Sequence, residues 1–392
     1  MKIAILTSGI LPIPAVQGGA VENLIDFCLE YNDKYHLYDI TVFSIFHPSI
    51  KDHPALKSKV NKYYYIKMNT IWGKIRKGFY KFIHGDNGYY HYSVEFYLSR
   101  VINSIRHQQF DIILIENRPG FALKLKDIIS AKLVIHQEND YINNQTKRGN
   151  EIYNNTTLII NTSNYITQQV KTINKEGNKC VTVLNGINTF HFYNAIPYSR
   201  EKLGFNNKDF VIVYSGRLTQ EKGILPLIQA IKQLNDIPHL KLLIIGASSY
   251  GIDKRPTPFV EQIQQESESI RKQVIYTGFV DYQLMPSYLK MADIAVVPSM
   301  WEEPFGLTIV EAMAAGLPLI TTRSGGIPEI CEGVATIVDR QNIVENLAAA
   351  ILDLYQHPEK RQQMAAASLE HSKLFDKETY AKNFFSALEK IN

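Results

Sequence analysis

Cysteine is scarce in this sequence. Its 392 residues hold three, Cys28, Cys180 and Cys331, far apart and with no CxxC pair or partnering histidine spacing. That argues against a disulfide framework and a structural zinc site, and it fits a reducing compartment. Long apolar runs are missing too. No stretch approaches the ~20 apolar residues that a membrane-spanning helix needs. The opening, MKIAILTSGILPIP, has a short apolar run that stops at prolines and lacks a small-residue cleavage pattern, so it reads as a buried first strand rather than a signal peptide. The net charge of +4 is too small to argue for a nucleic-acid partner, and no nucleic-acid recognition module is visible. Internal repeats and low-complexity tracts are absent. A cytoplasmic protein is expected, with a candidate peripheral contact at the inner face of a membrane.

What is present is ordinary for a globular protein: 45% hydrophobic and 20% charged residues, enough to bury sizeable cores. The length exceeds the roughly 100–200 residues of one domain, so two are expected. Apolar runs at Lys2–Ser8, Asp39–Phe46, Phe110–Glu116, Lys132–His136, Thr157–Thr162 and Cys180–Leu184 alternate with helical patterns. A break follows near residues 185–205. A second series then runs through Phe210–Ser215, Lys241–Gly246, Val274–Thr277, Ile294–Pro298, Pro318–Thr322 and Thr336–Val338. This alternation predicts α/β architecture, with parallel sheets covered on both faces. The expected units are 1–187 and 188–374, two doubly wound domains facing a central cleft, with ligands at the carboxyl ends of the strands. A terminal helix over about 375–392 packs either on the first unit or on the second.

The densest motif is Trp301-Glu302-Glu303-Pro304-Phe305-Gly306-Leu307-Thr308-Ile309-Val310-Glu311. It follows a strand and opens a helix at about Leu307. Gly306 lets the backbone approach a ligand, and free amides at a helix start suit phosphate oxygens. Glu303 in the loop and Glu311 one turn into the helix are placed to accept paired hydrogen bonds from sugar hydroxyls. The bland alternative is a loop glutamate and a glutamate that favours the helix dipole. A second motif, Tyr214-Ser215-Gly216-Arg217-Leu218-Thr219-Gln220-Glu221-Lys222-Gly223, sets two cations after a strand. Fixed cations suit a leaving diphosphate, which gains charge as a glycosidic bond breaks. An ordinary ion pair with Glu221 is the alternative there.

These two segments resemble the retaining glycosyltransferases of family 4, with their E-x7-E motif and GT-B fold. The likeness spans nearly the whole chain and is most specific over Ser215–Lys222 and Trp301–Glu329. It implies that Glu311 binds ribose hydroxyls, that Glu303 binds the transferred sugar, and that Phe305, Gly306, Leu307 and Thr308 face sugar and diphosphate. It implies that Arg217 and Lys222 hold the diphosphate without a metal ion, which agrees with the lack of an Asp-x-Asp pair. No cofactor is expected beyond the nucleotide sugar, for which a UDP-sugar is the expected donor. Gly18 and Gly19 resemble the family's N-terminal loop, although a bare Gly-Gly also suits a tight turn. Glu22 reads as a helix-start residue. His136 ends a strand and resembles a histidine that contacts the donor sugar, with a structural histidine as the alternative. The run from His136 to Tyr141 looks like the His-x-x-Asn-Asp-Tyr form found in capsule, lipopolysaccharide and spore-coat-type members, which makes Asn139 and Asp140 candidates for the acceptor pocket. Gly278 and Phe279 resemble a segment that holds the base; otherwise Phe279 is a core aromatic.

Residues 51–106 stand apart. They are rich in lysine and arginine and in aromatics, among them Tyr63, Tyr64, Tyr65, Trp72, Tyr80, Tyr89 and Tyr90, with few acids. The segment reads either as a solvated insertion or as a basic, aromatic surface for a membrane or an anionic polymer. The expected acceptor is a carbohydrate, lipid-linked or protein group. Two rivals stay open: a sugar-nucleotide epimerase on the same frame, and a non-catalytic donor-binding or coat-type protein. A dehydrogenase is least consistent, since the Gly18-Gly19 loop lacks a three-glycine dinucleotide pattern.

Overall fold

Among the described residues, thirteen strands form two all-parallel sheets. In the computed structural model, residues 1–68, 70–84, 92–247 and 257–391 are described; Tyr89, Tyr90 and residue 392 of the terminal segment lie outside the described residues. The chain divides into one unit of Met1–Asn185 with Lys377–Asn392 and another of Gly186–Asp376. The division falls two residues before the expected boundary at 187.

The first unit contains β1 (Lys2–Leu6), β2 (Asp39–Ile45), β3 (Asn61–Ile66), β4 (Ile112–Glu116), β5 (Lys132–Gln137), β6 (Leu158–Asn161) and β7 (Cys180–Thr182). Their order across the sheet is 3-2-1-4-5-6-7. β4 is buried at every residue, because helices cover both faces; a strand so enclosed must be apolar throughout, which explains the unbroken IILI run. On one face, Leu24, Ile25 and Cys28 of helix Ala20–Tyr35 pack with Phe384, Phe385 and Leu388 of the terminal helix Lys377–Glu389. On the other, Tyr97, Leu98 and Val101 of helix Tyr92–Ile105 cover Ile113 and Ile135.

One reading needs correction. Residues 51–106 are not an insertion. Asn61–Ile66 is the edge strand, paired in parallel with β2 from Ile40↔Asn61 to Ile45↔Ile66, and helices Ile71–His84 and Tyr92–Ile105 connect it onward to β4.

The second unit contains β8 (Phe210–Ser215), β9 (Leu240–Ile245), β10 (Val274–Gly278), β11 (Ile294–Val297), β12 (Leu319–Thr322) and β13 (Thr336–Val338), in the order 10-9-8-11-12-13. Its two ends are tied together: the Ile187 amide donates to the Phe375 carbonyl at 2.9 Å and the Thr189 hydroxyl to Asp376 at 2.6 Å. In both sheets the order reverses beside the first strand, between β1 and β4 and between β8 and β11. At such reversals the connecting loops part and leave a crevice at the carboxyl ends of the strands, where open sheets of this kind bind ligands.

Candidate functional site

At the reversal in the second unit, β8 runs into Gly216 and Arg217, and β11 runs into Pro298 and Ser299. Gly216, Gly246 and Gly278 sit at the ends of adjacent strands, linked by Gly216 N to Ile245 O at 3.0 Å and Gly246 N to Gly278 O at 2.9 Å. Lys222 closes the short turn Gln220–Lys222. Its Nζ lies 2.5 Å from Glu303 Oε1, and Ser299 Oγ donates to the same oxygen at 2.5 Å. The Trp301 ring lies under the ammonium, 5.2 Å from Nζ to its centroid. Lys222 is 23% exposed and the Glu303 side chain 8%, so the pair is largely withdrawn from water, where losing either partner leaves a costly unpaired charge. Arg217 differs. Its side chain is 42% exposed and sits 3.8 Å from Glu221, a loose surface contact of small energetic consequence that leaves the guanidinium accessible.

The loop bearing Glu303 is fastened by a neighbouring one. Gly326 N donates to the Glu303 carbonyl at 2.8 Å, and the Thr322 and Ser324 hydroxyls both donate to the Ser299 carbonyl, at 2.6 and 3.1 Å. Gly325 N donates to the Glu302 carboxylate, which also pairs with Arg340. Gly325 has φ +51°, and a Cβ there would run into the Glu303 backbone. Only glycine meets both demands without moving the carboxylate loop.

Beyond the loop, Gly306 starts helix Leu307–Ala314, at the residue expected. Leu307 and Thr308 are partly exposed in its first turn, whose amides lack partners within the helix. Phe305 is buried, its ring 6.0 Å from that of Phe375. Glu311 is buried one turn in; burial pushes its carboxyl up to about 7, against a hydrogen bond from Tyr282. Phe279 is exposed, which removes the core-aromatic alternative for it.

Gly18, Gly19, His136, Asn139 and Asp140 belong to the first unit and form a second group. Gly18 and Gly19 precede helix Ala20–Tyr35; Gly19 has φ +109°, and a Cβ on it would meet the Glu22 carboxylate. Glu22 lies in the first turn of that helix, as expected, and is buried. Burial pushes its carboxyl up to about 7, and the charge of Glu116 acts the same way. His136 is 1% exposed. Its Nδ1 lies 2.8 Å from Glu116 Oε2 and its Nε2 3.0 Å from Glu138 Oε1, the latter out of line for a hydrogen bond. Burial opposes the imidazolium, but the Glu116 and Glu138 carboxylates outweigh it and push His136 up to about 10. The ring also meets Phe384 edge to face at 5.0 Å. A sugar contact at Nε2 therefore requires Glu138 to give way. Asn139 is partly exposed and Asp140 exposed, with Asn143 donating to Asp140 at 3.0 Å.

Sequence reasoning passed over Glu116, Glu138, Ser299 and Tyr282. A carboxylate ending the otherwise apolar IILIE run was a usable signal for Glu116. Nothing local marked Tyr282, whose link to Glu311 exists only through folding.

Two doubly wound, Rossmann-like units in one chain define the GT-B class of fold. The resemblance read from the motifs is borne out at the level of a glycosyltransferase: residues 196–371, within the second unit, match the family Glycosyl transferases group 1. The chain is 27% identical over 386 residues to the putative glycosyltransferase YtcC of Bacillus subtilis, covering 95% of this chain and 87% of that protein. It is also 27% identical over 408 residues to spore coat protein SA of the same organism, covering 100% of both. Among solved structures, Anabaena Alr3699/HepE in complex with UDP and glucose superposes with a TM-score of 0.74 at 20% identity, over 99% of each chain. That structural likeness speaks to the fold.

Proposed function

We propose that this chain is a retaining, metal-independent glycosyltransferase of family 4. It moves a hexose-type sugar from a nucleotide diphosphate sugar to a carbohydrate, lipid-linked or protein acceptor in cell-surface glycoconjugate synthesis. The observation that carries this reading is the Lys222–Glu303–Ser299 cluster at the ends of β8 and β11, held 2.5 Å apart at each contact inside the domain that matches the glycosyltransferase family. A half-buried ammonium and an exposed guanidinium are suited to a diphosphate, and a carboxylate held by that ammonium to sugar hydroxyls. UDP is the favoured nucleotide, in keeping with the UDP bound by the Anabaena protein.

In this mechanism the anomeric carbon–oxygen bond to the diphosphate breaks. The acceptor oxygen bonds to the same face of the carbon, and its proton passes to the departing phosphate oxygen. Arg217 and Lys222 hold the charge that builds on the leaving group, aided by the first-turn amides at Leu307 and Thr308. Glu303 holds the sugar, and Glu311 accepts from the ribose hydroxyls. The first unit supplies the acceptor site, with Asn139 and Asp140 among its residues. Neither glutamate of the motif acts as an acid or base; they orient the donor.

The test is turnover of UDP-, GDP- and ADP-sugars with an acceptor panel, with and without EDTA. Wild type is expected to use the UDP-sugar and to ignore EDTA, while Arg217→Ala and Glu303→Ala slow transfer about 10²-fold or more. Unchanged rates in both variants would overturn the site assignment. Donor binding in calorimetry with no transfer to any acceptor would favour the non-catalytic reading.

A further inference from the structure

Helix Ile71–His84 shows water a face that soluble proteins hide. Ile71, Trp72, Ile75, Phe79 and Phe82 are 79, 74, 57, 68 and 90% exposed. At about 100° per residue, all five fall within an arc of about 100° on one side of the helix. Gly73 projects from the far side and is buried: a Cβ there would sit 3.0 Å from the Met68 carbonyl and 3.2 Å from the Phe96 ring. The helix is thus seated on the protein by its glycine face, with the aromatic arc turned outward. A contiguous apolar patch of this kind marks an interaction surface.

The charge around the patch selects its partner. The helix sequence, IWGKIRKGFYKFIH, contains no acidic residue, and the exposed Lys74 and Arg76 project just beyond the two edges of the apolar arc. Beside the helix lies a groove of about 570 Å³ into which Lys67, Arg76 and Arg100 contribute cations and Trp72 and Phe96 aromatic faces; among the described residues, no acidic one lines it. An apolar stripe bordered by cations is the pattern of a helix that lies in the plane of a lipid interface. Cations beside it attract anionic headgroups.

We propose that helix Ile71–His84 docks the protein on an anionic phospholipid surface. The arc from Ile71 to Phe82 sinks to the level of the acyl-chain boundary, and the groove lined by Lys67, Arg76 and Arg100 receives a headgroup phosphate. This does not depend on the glycosyltransferase reading, and its test does not measure transfer.

Purified protein is floated with vesicles of phosphatidylcholine alone and of phosphatidylcholine mixed with phosphatidylglycerol, at low and high salt. Binding is expected to the mixed vesicles, to weaken as salt screens the cations, and to be absent on phosphatidylcholine alone. Phe79→Ser with Phe82→Ser is expected to lower vesicle partitioning more than about ten-fold, since two large rings no longer leave water. Lys74→Gln with Arg76→Gln is expected to lower it about five-fold per cation removed. The substituted side chains are exposed, so thermal melts are expected to stay unchanged. Absence of binding, equal binding to neutral vesicles, or wild-type binding by the double serine variant would overturn the proposal. So would concentration-dependent self-association that the serine variant abolishes without vesicles, which would mark the patch as a contact with a second copy.

Discussion

At the ends of β4 and β5 the first unit buries His136 between Glu116 and Glu138 and leaves the ring 1% exposed. At the end of β8 the second unit leaves Arg217 42% exposed and tucks only Lys222 against Glu303. The two sheets share one strand order, so both reversals offer a crevice. The first sets one imidazolium against two carboxylates; the second keeps the Arg217 guanidinium toward solvent. A site that must take up a charged ligand needs accessible charge, and the second unit displays it at Arg217. The same geometry can therefore serve as a structural keystone in one unit and a ligand site in the other, according to whether the charges face each other or face out.

Substitutions can break this contrast. The largest effect is expected from His136→Ala, which leaves two buried carboxylates without their cation and costs about 3–5 kcal/mol of stability, read by urea denaturation. The sign with pH follows from the raised value. His136 stabilises fully below its usual 6.5, and that contribution fades as pH rises through about 10. The gap between wild type and variant should therefore narrow in alkali; a constant gap would deny the charged pair.

Lys222→Ala is next, with transfer falling about 10²–10³-fold, measured as sugar incorporated per unit of folded protein so that any loss of stability is separated from loss of catalysis. Gly325→Ala should cost about 1–3 kcal/mol, because the Glu303 backbone blocks a Cβ and φ is positive there; its melting temperature is the measurement, and an unchanged value would remove the fastening role given to this loop. The smallest effect concerns Glu311. Its carboxyl is raised to about 7, so the folded chain holds that proton more tightly than the unfolded chain. Its contribution to stability is present below about 4.5 and is lost as pH rises through 7. Glu311→Gln should flatten that slope by at most about 1.4 kcal/mol per pH unit, seen in melts taken across the range.

The strands were largely legible because enclosed parallel strands must be apolar along their whole length; β8 and β13 match their expected bounds at both ends. The edge strand Asn61–Ile66 was not. Only one neighbour pairs with it and its burial alternates, so its lysine and tyrosines read as a solvated segment. The helix start at Leu307 was legible, since a glycine after a proline-bearing loop punctuates the chain locally.

What the sequence alone determined was local: the runs that become strands, the glycines that turn the chain, and the motif spacing that places Glu303 before a helix and Glu311 within it. Only the tertiary structure decided which charges meet. Glu116 and His136 are neighbours because β4 and β5 pair in a register that sets Glu116 opposite His136, and Lys222 reaches Glu303 across 81 residues of chain. Charge and hydrogen bonding act over a few ångströms of space, and the chain brings such partners together only once its sheets have formed.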